Sequence, residues 1–450
     1  MLDRNAFGLW SWVARRAFKA TFTRPDPEHA RRCIHDTLPS SEGVAVYIHI
    51  PFCRSFCLYC AYTRQLWDAK LAERYVDALV REIEMYGRLL DDVGVKVVDI
   101  HVGGGTPSLL EGRHYQKIVE ALQGSFDVKY EGIAIEANPN DVADEERARD
   151  LADAGVKEVS LGVQSFSEGI LRNLGRAHKV EDSLRAIEAL RAAGVKYLNI
   201  DLMYMVPGKV GETLEEWMTD LKRASQQDVD EITCYPTLIT PYCIGYRLFK
   251  EGKVRQPSMK VFKEMIKATY KVLEPAGYKS IEIYGFSRRE GWKYATVNYE
   301  MEGPLLAFGC GAVSFTGGYE YTNTHYTEEY VRAVEKGRLP IAGARRVSVR
   351  ERALRYTAAR LFVCKQLDEM EFEKVFESEF EDLVGRTFFG RMLKLLRLAG
   401  VIKRRGGKWR LEQRGLTMAH MKCWAFVLNV PCRLTEEYLK EPWPNTVVIP

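Results

Sequence analysis

The sequence predicts an α/β fold: an incomplete (β/α)6 barrel with a C-terminal, mostly helical lid of winged-helix-like pattern. Three features predict it. Strand-like and helical runs alternate from about Val44 to about Ala276; glycines stop helices just before the next strand; and cysteine and polar residues gather where the strands end. Strands separated by helices pair in parallel through right-handed crossovers, and six such units leave a barrel open at one side. At 450 residues the chain exceeds one ordinary core, so further units are expected beside the barrel.

Residues 1–43 read as an N-terminal helical extension. Within it "FGLWSWVARRAFKATF" (Phe7 to Phe22) sets Trp10, Trp12, Val13 and Phe18 against Arg15, Arg16 and Lys19. An apolar side with a basic edge suits a membrane surface; the simpler reading is a helix that packs on the main domain. Residues 44–276 make the barrel. Its strands are "VAVYIHI", "VKVVDIHV", "GIAIEA", "KEVSLGV", "KYLNIDLMYMV" and "DEITCYPT". Between them, Leu71 to Leu90 and Val180 to Ala193 carry apolar residues at helical spacing, and Gly155 and Gly194 each precede Val-Lys as helix stops. Residues 277–346 add a strand, "YKSIEIYGF" (Tyr278 to Phe286), and a Gly-rich stretch, "PLLAFGCGAVSFTGG" (Pro304 to Gly318), suited to close approach to a ligand. Residues 347–450 turn helical, with "FFGRMLKLLRLAGVIKRRGGKWRLEQRG" reading as a helix and a hairpin turning at Gly406-Gly407. Lys403, Arg404, Arg405, Lys408 and Arg410 would suit DNA. Because the chain as a whole is barely basic, a lid over the open barrel is the preferred reading.

Composition excludes several classes. A net charge of +4 gives little reason to expect a nucleic-acid partner. No apolar run approaches the ~20 residues a membrane span needs, and no signal peptide is evident. Ten cysteines in so long a chain do not make a disulfide scaffold, and a cytoplasmic protein is expected.

Three of those cysteines stand apart. In "VYIHIPFCRSFCLYCAYTRQ" (Val46 to Gln65), Cys53, Cys57 and Cys60 crowd a loop directly after the first strand. Nearby thiolates can hold zinc, build an iron–sulfur cluster or form a redox pair. Structural zinc wants four closed ligands, often as two CxxC pairs, and no second pair is present. A redox pair of Cys57 and Cys60 leaves Cys53 without a role. A [4Fe–4S] cluster has four iron corners, so three cysteines leave one open to an outside ligand. The other strand ends add "GGGTP" (Gly103 to Pro107), Glu136, Gln164, Asp201 and Tyr235, where parallel barrels place their chemistry. Glycines admit a ligand to the backbone; Glu136 offers a carboxylate to an ammonium group; Arg176 offers a planar cation to a carboxylate; Asp201 can take ribose hydroxyls.

"CRSFCLYC" with "GGGTP" resembles the radical S-adenosylmethionine superfamily. "YIHIPFC", "GVQSF", "LGRAH", "NIDLMYMVPG" and "FGCGAVS" are similar, more narrowly, to its oxygen-independent coproporphyrinogen III oxidase-like branch, in register from about Val44 to Ser314. The resemblance implies a [4Fe–4S] cluster on Cys53, Cys57 and Cys60, which act as metal ligands and catalytic residues. S-adenosylmethionine would chelate the open iron, and its reductive cleavage would give a 5′-deoxyadenosyl radical. It further implies two S-adenosylmethionine molecules, the first lined by Tyr47, Gly104, Glu136, Pro236 and Val313, the second by Tyr59, Gly105, Thr106, Gln164, Arg176 and Asp201. His49 also matches, and as a lone strand-end histidine it is expected to hydrogen-bond the cysteine loop.

Within the branch, the oxidases carry a "YTSYPT"-like N-terminus and a fourth cysteine two places after the third; Arg24 to Gly43 does not match the former, and Tyr62 occupies the latter position. Haem chaperones typically have Trp before the first cysteine and a shorter chain, where this one has Phe52. "CLYCAY" resembles the class C radical methyltransferases, some of which act on menaquinone. The preferred expectation is therefore methylation of an sp² carbon on an aromatic or quinone-like acceptor. The alternatives are tetrapyrrole chemistry (porphyrinogen oxidation or anaerobic haem degradation) and haem carriage by a chaperone. A low-potential donor such as flavodoxin or ferredoxin is the implied partner, with no nucleic acid; peripheral membrane contact through the N-terminal segment is the alternative to its packing on the main domain.

Overall fold

The computed structural model describes residues 5, 7–39, 43–130, 132–289 and 303–450. Helix α1 (Leu9–Ala17) leads into strand β1 (Ala20–Thr23) and helix α2 (Pro27–Thr37). The barrel then runs β2 (Gly43–Ile50), α3 (Ala69–Leu89), β3 (Lys96–Gly104), α4 (Gly112–Ser125), β4 (Ile133–Ala137) and α5 (Glu145–Asp153). It continues through β5 (Val156–Gln164), α6 (Glu168–Leu174), α7 (Val180–Ala192), β6 (Tyr197–Tyr204), α8 (Leu214–Ser225), β7 (Glu231–Pro236), α9 (Ile244–Lys250) and α10 (Met259–Leu273).

The six expected strands form, and they lie side by side in the order β2-β3-β4-β5-β6-β7, all parallel. Local chemistry places their connections. The Asp68 carboxylate caps α3 by accepting from Leu71 N at 2.9 Å, and Thr213 with Glu216 closes a capping box on α8. Gly155 and Gly194 take φ of 99° and 82° after their helices, the left-handed geometry in which a side chain would be strained. Strand β2 is buried along almost its whole length, because helices cover one face and the barrel interior fills the other.

Three expectations need correction. The segment 1–43 is not wholly helical: β1 joins the same sheet, pairing Thr23 with Ala344 and Ala20 with Ile449. The run Tyr278 to Phe286 is not one strand but a tight antiparallel pair, Lys279–Ser280 against β8 (Gly285–Ser287), set at the edge of β7. The strand that extends the parallel set is β9 (Leu305–Phe308), parallel to β2 on its free side, inside the stretch read only as Gly-rich. The remainder of that region, residues 290–302, lies outside the described residues. The sheet continues antiparallel through β10 (Val313–Phe315), β11 (Tyr319–Asn323) and, after helix α11 (Thr327–Glu335), β12 (Ile341–Arg346).

Helix α12 (Val349–Ala358), strand β13 (Gln366–Asp368), helices α13 (Glu369–Phe376) and α14 (Phe388–Leu398), and strands β14 (Ile402–Arg405) and β15 (Lys408–Leu411) follow. The small sheet has the order β13-β15-β14, which with its three helices is a winged-helix topology. Gly406 and Gly407 turn the wing with φ of 55° and 76°, as a two-residue type I′ hairpin requires. Helix α15 (Leu416–Asn429) then covers the barrel's open side, its Trp424 ring 6.1 Å from Tyr235 and 6.2 Å from Tyr284. Helix α16 (Pro431–Tyr438) ends the helical run, and β16 (Thr446–Ile449) returns to pair with β1. The far end of the expected lid is thus a sheet strand, because its alternating Val447 and Ile449 find a partly paired edge to cover.

Candidate cofactor site at the barrel mouth

Residues in register across parallel strands point to the same side, and alternate residues along one strand share a face. Here one such face is polar. Tyr47 and His49 of β2, His101 of β3, Glu136 of β4, Ser160 of β5, Asn199 and Asp201 of β6 and Thr233 of β7 occupy matching registers. They line the barrel interior and converge on its C-terminal mouth, where the cysteine loop begins. Two backbone positions there take φ > 0 without being glycine, Gln164 at 65° and Met205 at 61°. Such strain persists only where the surroundings fix it.

The cysteine loop is held from all sides. Leu58 N donates to Leu174 O at 3.1 Å, Gly245 N donates to Leu58 O at 2.7 Å, and the Tyr242 hydroxyl donates to Ala61 O at 3.0 Å. Arg64 donates to Cys60 O. Gly245 has no room for a side chain, since a Cβ there would stand 2.8 Å from Leu58 O. His49 does what was expected of it: Nε2 lies 2.9 Å from Thr63 O at the loop's exit, and Nδ1 lies 3.1 Å from the Tyr47 hydroxyl. Thr63 in turn pairs with buried His325 at 2.6 Å.

Burial pushes the Cys53 thiol up to about 11, against a hydrogen bond from Thr106 and with Cys60 and Cys57 adding to the rise. Burial likewise raises Cys60, opposed by Arg64. Such thiols are poor redox nucleophiles but ordinary metal ligands, since a coordinated metal deprotonates them. Among the described residues no three His, Cys, Asp or Glu side chains converge on a single ion. A [4Fe–4S] cluster does not require that, because each cysteine caps a different iron.

The glycines beside the loop form a cradle. A Cβ on Gly103 would stand 2.8 Å from Glu136 Oε1, one on Gly104 2.7 Å from the His49 ring, and one on Gly105 2.7 Å from the Pro51 carbonyl. Gly104 also takes φ of 118° and donates its N–H to Glu136 Oε2 at 3.1 Å. Glu136 keeps 43% of its side chain exposed, so a carboxylate faces the mouth. Thr106 donates to Cys53 Sγ at 3.6 Å and accepts from Asn138 Nδ2 at 3.3 Å. Thiol donors, a side-chain-free cradle and an outward carboxylate fit a cluster with an amino-acid ligand at its open corner.

Of the expected second set, Gly105 and Thr106 lie in this cradle beside Cys53, while Arg176 lies against Cys57 and Gln164 and Asp201 lie on β5 and β6. Arg176 donates to Cys57 Sγ at 3.3 Å, to Gly162 O at 3.1 Å and to Asn138. Tyr59 packs on Ile170, Leu174, Met203 and Val206 beneath the loop. Gln164 is buried at the end of β5. Asp201 accepts from Ser160 Oγ at 2.9 Å, Asn199 Nδ2 at 3.1 Å and Thr233; burial pushes its carboxyl up to about 6 despite those donors. Pro236 is buried at the end of β7. Val313 is the outlier: it packs with Ala342, Leu434 and Val447 on the antiparallel arm. Sequence reading missed Asn138, Ser160, Thr233, His101, Tyr242 and His325. Asn138 and His101 were legible, since each lies two residues from a residue already singled out; Ser160 and Thr233 are placed only by strand register. Tyr242 and His325 come from loops with no such signal.

Residues 47–221 match the radical SAM superfamily. The heme chaperone HemW of Escherichia coli is 30% identical over 284 residues, covering 61% of this chain and 71% of that protein. The Bacillus subtilis heme chaperone HemW is 28% identical over 311 residues, covering 68% and 80%. An oxygen-independent coproporphyrinogen III oxidase of Cereibacter sphaeroides is 28% identical over 321 residues, covering 68% and 69%. Among solved structures, the coproporphyrinogen III oxidase HemN of Escherichia coli, itself a radical SAM enzyme, superimposes with a TM-score of 0.74 at 23% identity, over 90% of this chain and 94% of that one. The fold and the cysteine site define a radical SAM protein. This chain belongs to that superfamily, in the branch of HemW and the oxygen-independent coproporphyrinogen III oxidases. A [4Fe–4S] cluster and S-adenosylmethionine follow as its cofactors. The relatives favour the two alternatives, haem carriage by a chaperone and porphyrinogen oxidation, over the methyl transfer placed first from sequence.

Proposed function

We propose that this chain is a radical S-adenosylmethionine enzyme that acts on a tetrapyrrole. The observation that carries the reading is an intact cofactor cradle in a chain whose relatives handle haem or coproporphyrinogen, both tetrapyrroles. When bound, the cofactors supply an electron and a carbon-centred radical able to take hydrogen from an unactivated carbon. The chain's own residues do the rest. Cys53, Cys57 and Cys60 anchor three corners of the cluster. Gly103, Gly104 and Gly105 let the ligand's amino and carboxylate groups reach the fourth, and Glu136 offers its carboxylate to the ammonium group. Gln164, Arg176 and Asp201 orient a second ligand on the opposite flank, and α15 with Trp424 keeps water from the open side. Electrons come from a low-potential protein of flavodoxin or ferredoxin type.

C-methyl transfer stays as the second reading on two observations. Tyr62 replaces the fourth cysteine, and the Arg176, Gln164 and Asp201 flank has the polar groups a second S-adenosylmethionine needs. Anaerobic incubation of reconstituted protein with reductant, methyl-deuterated S-adenosylmethionine and either coproporphyrinogen III or haem separates the readings. Tetrapyrrole-dependent 5′-deoxyadenosine without S-adenosylhomocysteine is the expected result. S-adenosylhomocysteine with deuterated deoxyadenosine moves the assignment to methyl transfer. Stoichiometric haem binding without cofactor cleavage moves it to a carrier, and no response to either tetrapyrrole overturns the proposal.

A further inference from the structure

The winged-helix unit has no part in the site, yet its surface is unusual for a unit that only packs. Between Arg386 and Arg414 the chain carries ten basic residues and one acidic residue, Glu412, in a protein whose net charge is +4. Helix α14 opens this run. Leu393 and Gly390 face inward, while Phe388, Leu395 and Leu398 stand 69%, 65% and 80% exposed. With Arg391 these residues follow the i, i+3, i+7, i+10 spacing of one helical stripe. Arg391, Arg397 and the wing's Arg405 and Arg410 make no ion pair among the described residues, whereas Arg386, Lys394, Lys403, Arg404 and Lys408 are held by Asp382, Glu381, Glu412, Glu369 and Asp368. In a winged helix that reads DNA, the corresponding helix presents polar groups to base edges. This one presents three large apolar side chains.

A second amphipathic helix lies close by. The Lys422 ammonium of α15 sits 4.4 Å from the Trp10 ring of α1 and 4.0 Å from Phe362, and Phe362 packs on Phe389 of α14 at 6.4 Å. Contacts therefore run from α1 to α14, and α1 leaves Leu9 and Trp12 exposed beside Arg16.

We infer that α14 is a membrane-contact helix: Phe388, Leu395 and Leu398 enter the interface of an anionic bilayer while Arg391, Arg397 and the basic wing meet its headgroups. Charge selects the occupant. A strongly basic, apolar-tipped face gains from anionic lipid through both apolar burial and electrostatic attraction. A neutral partner would leave the guanidinium groups uncompensated, and a duplex would leave the leucines without contacts.

Co-sedimentation of cluster-loaded full-length protein with vesicles tests this, using phosphatidylcholine alone and phosphatidylcholine mixed with phosphatidylglycerol. Binding is expected on the mixed vesicles, weakening with salt, and at least about ten-fold weaker on phosphatidylcholine. Leu395→Ser with Leu398→Ser should lower binding by more than about ten-fold, and Arg391→Gln and Arg397→Gln by about five-fold each, with cofactor cleavage in solution unchanged. Equal binding to both vesicle types overturns the inference, as does no binding. So do binding that these variants leave intact but deletion of residues 5–17 abolishes, a dimer in solution that the leucine variants split, and duplex DNA binding lost in the arginine variants.

Discussion

Glycine does different work at the barrel mouth and in the wing. At the mouth, Gly103, Gly104 and Gly105 are glycines because a Cβ would meet Glu136, His49 or Pro51 at 2.7–2.8 Å. In the wing, Gly406 has nothing within 4 Å of where its Cβ would be; only its φ of 55° calls for glycine. The same residue type answers a shortage of space in one region and a turn in the other. The mouth is therefore a place where small changes destroy chemistry, and the wing one where they cost a little stability.

The sharpest break in this contrast is Cys57→Ala, which should abolish iron binding and 5′-deoxyadenosine formation together, read by iron content and product assay. Gly104→Ala forces a side chain into the His49 ring at a φ of 118°. It should slow cofactor cleavage by about a hundred-fold while the cluster still loads, because a displaced ligand loses its reactive geometry.

Changes in the C-terminal unit should register in unfolding and leave cleavage alone. Glu369 accepts from Arg404 at 2.8 and 2.7 Å and from Trp409 Nε1 at 2.7 Å. Glu369→Ala should cost about 2 kcal/mol in denaturant unfolding. The Lys422 ammonium is buried with no hydrogen-bond partner among the described residues, and burial pushes it down to about 7. The unfolded chain binds that proton more tightly, so this lysine penalises the folded state most at and below pH 7, and the penalty fades as pH rises toward its ordinary value. Lys422→Met should therefore raise stability by about 1 kcal/mol at neutral pH, a gain that narrows on going alkaline; a gain that widens would contradict the assignment. Gly406→Ala is the smallest change, about 1 kcal/mol from the turn alone.

The parallel strands were legible because burial on both faces makes each a continuous apolar run, and helix stops such as Gly155 mark the intervals. Strand β9 was not, since four residues between Pro304 and Gly309 give too short a pattern to separate strand from loop. Strands β1 and β16 were hidden for another reason: β16 pairs with β1, and β1 also with β12, and nothing local in either announces a register across so much of the chain. In the site, residues at motif positions were readable one by one, but the polar interior was not. It emerges only when register brings Ser160, Asn199 and Thr233 beside Asp201. The winged helix showed the opposite pattern. Its helix and hairpin were evident, while the exposure of Leu395 and Leu398 on α14 depends on neighbours that only the fold brings together.

The pairing of Ala20 with Ile449 sets an order of maturation. A ribosome delivers Phe22 long before Val447, so this seam stays unstitched until Val447 has emerged, with the apolar side of β1 bare meanwhile. The six parallel strands that frame the cysteine loop are all complete by Pro236. The strands that frame the cysteine loop thus precede its later supports, Tyr242, Gly245 and His325, and all of these precede the β16 half of the outer seam.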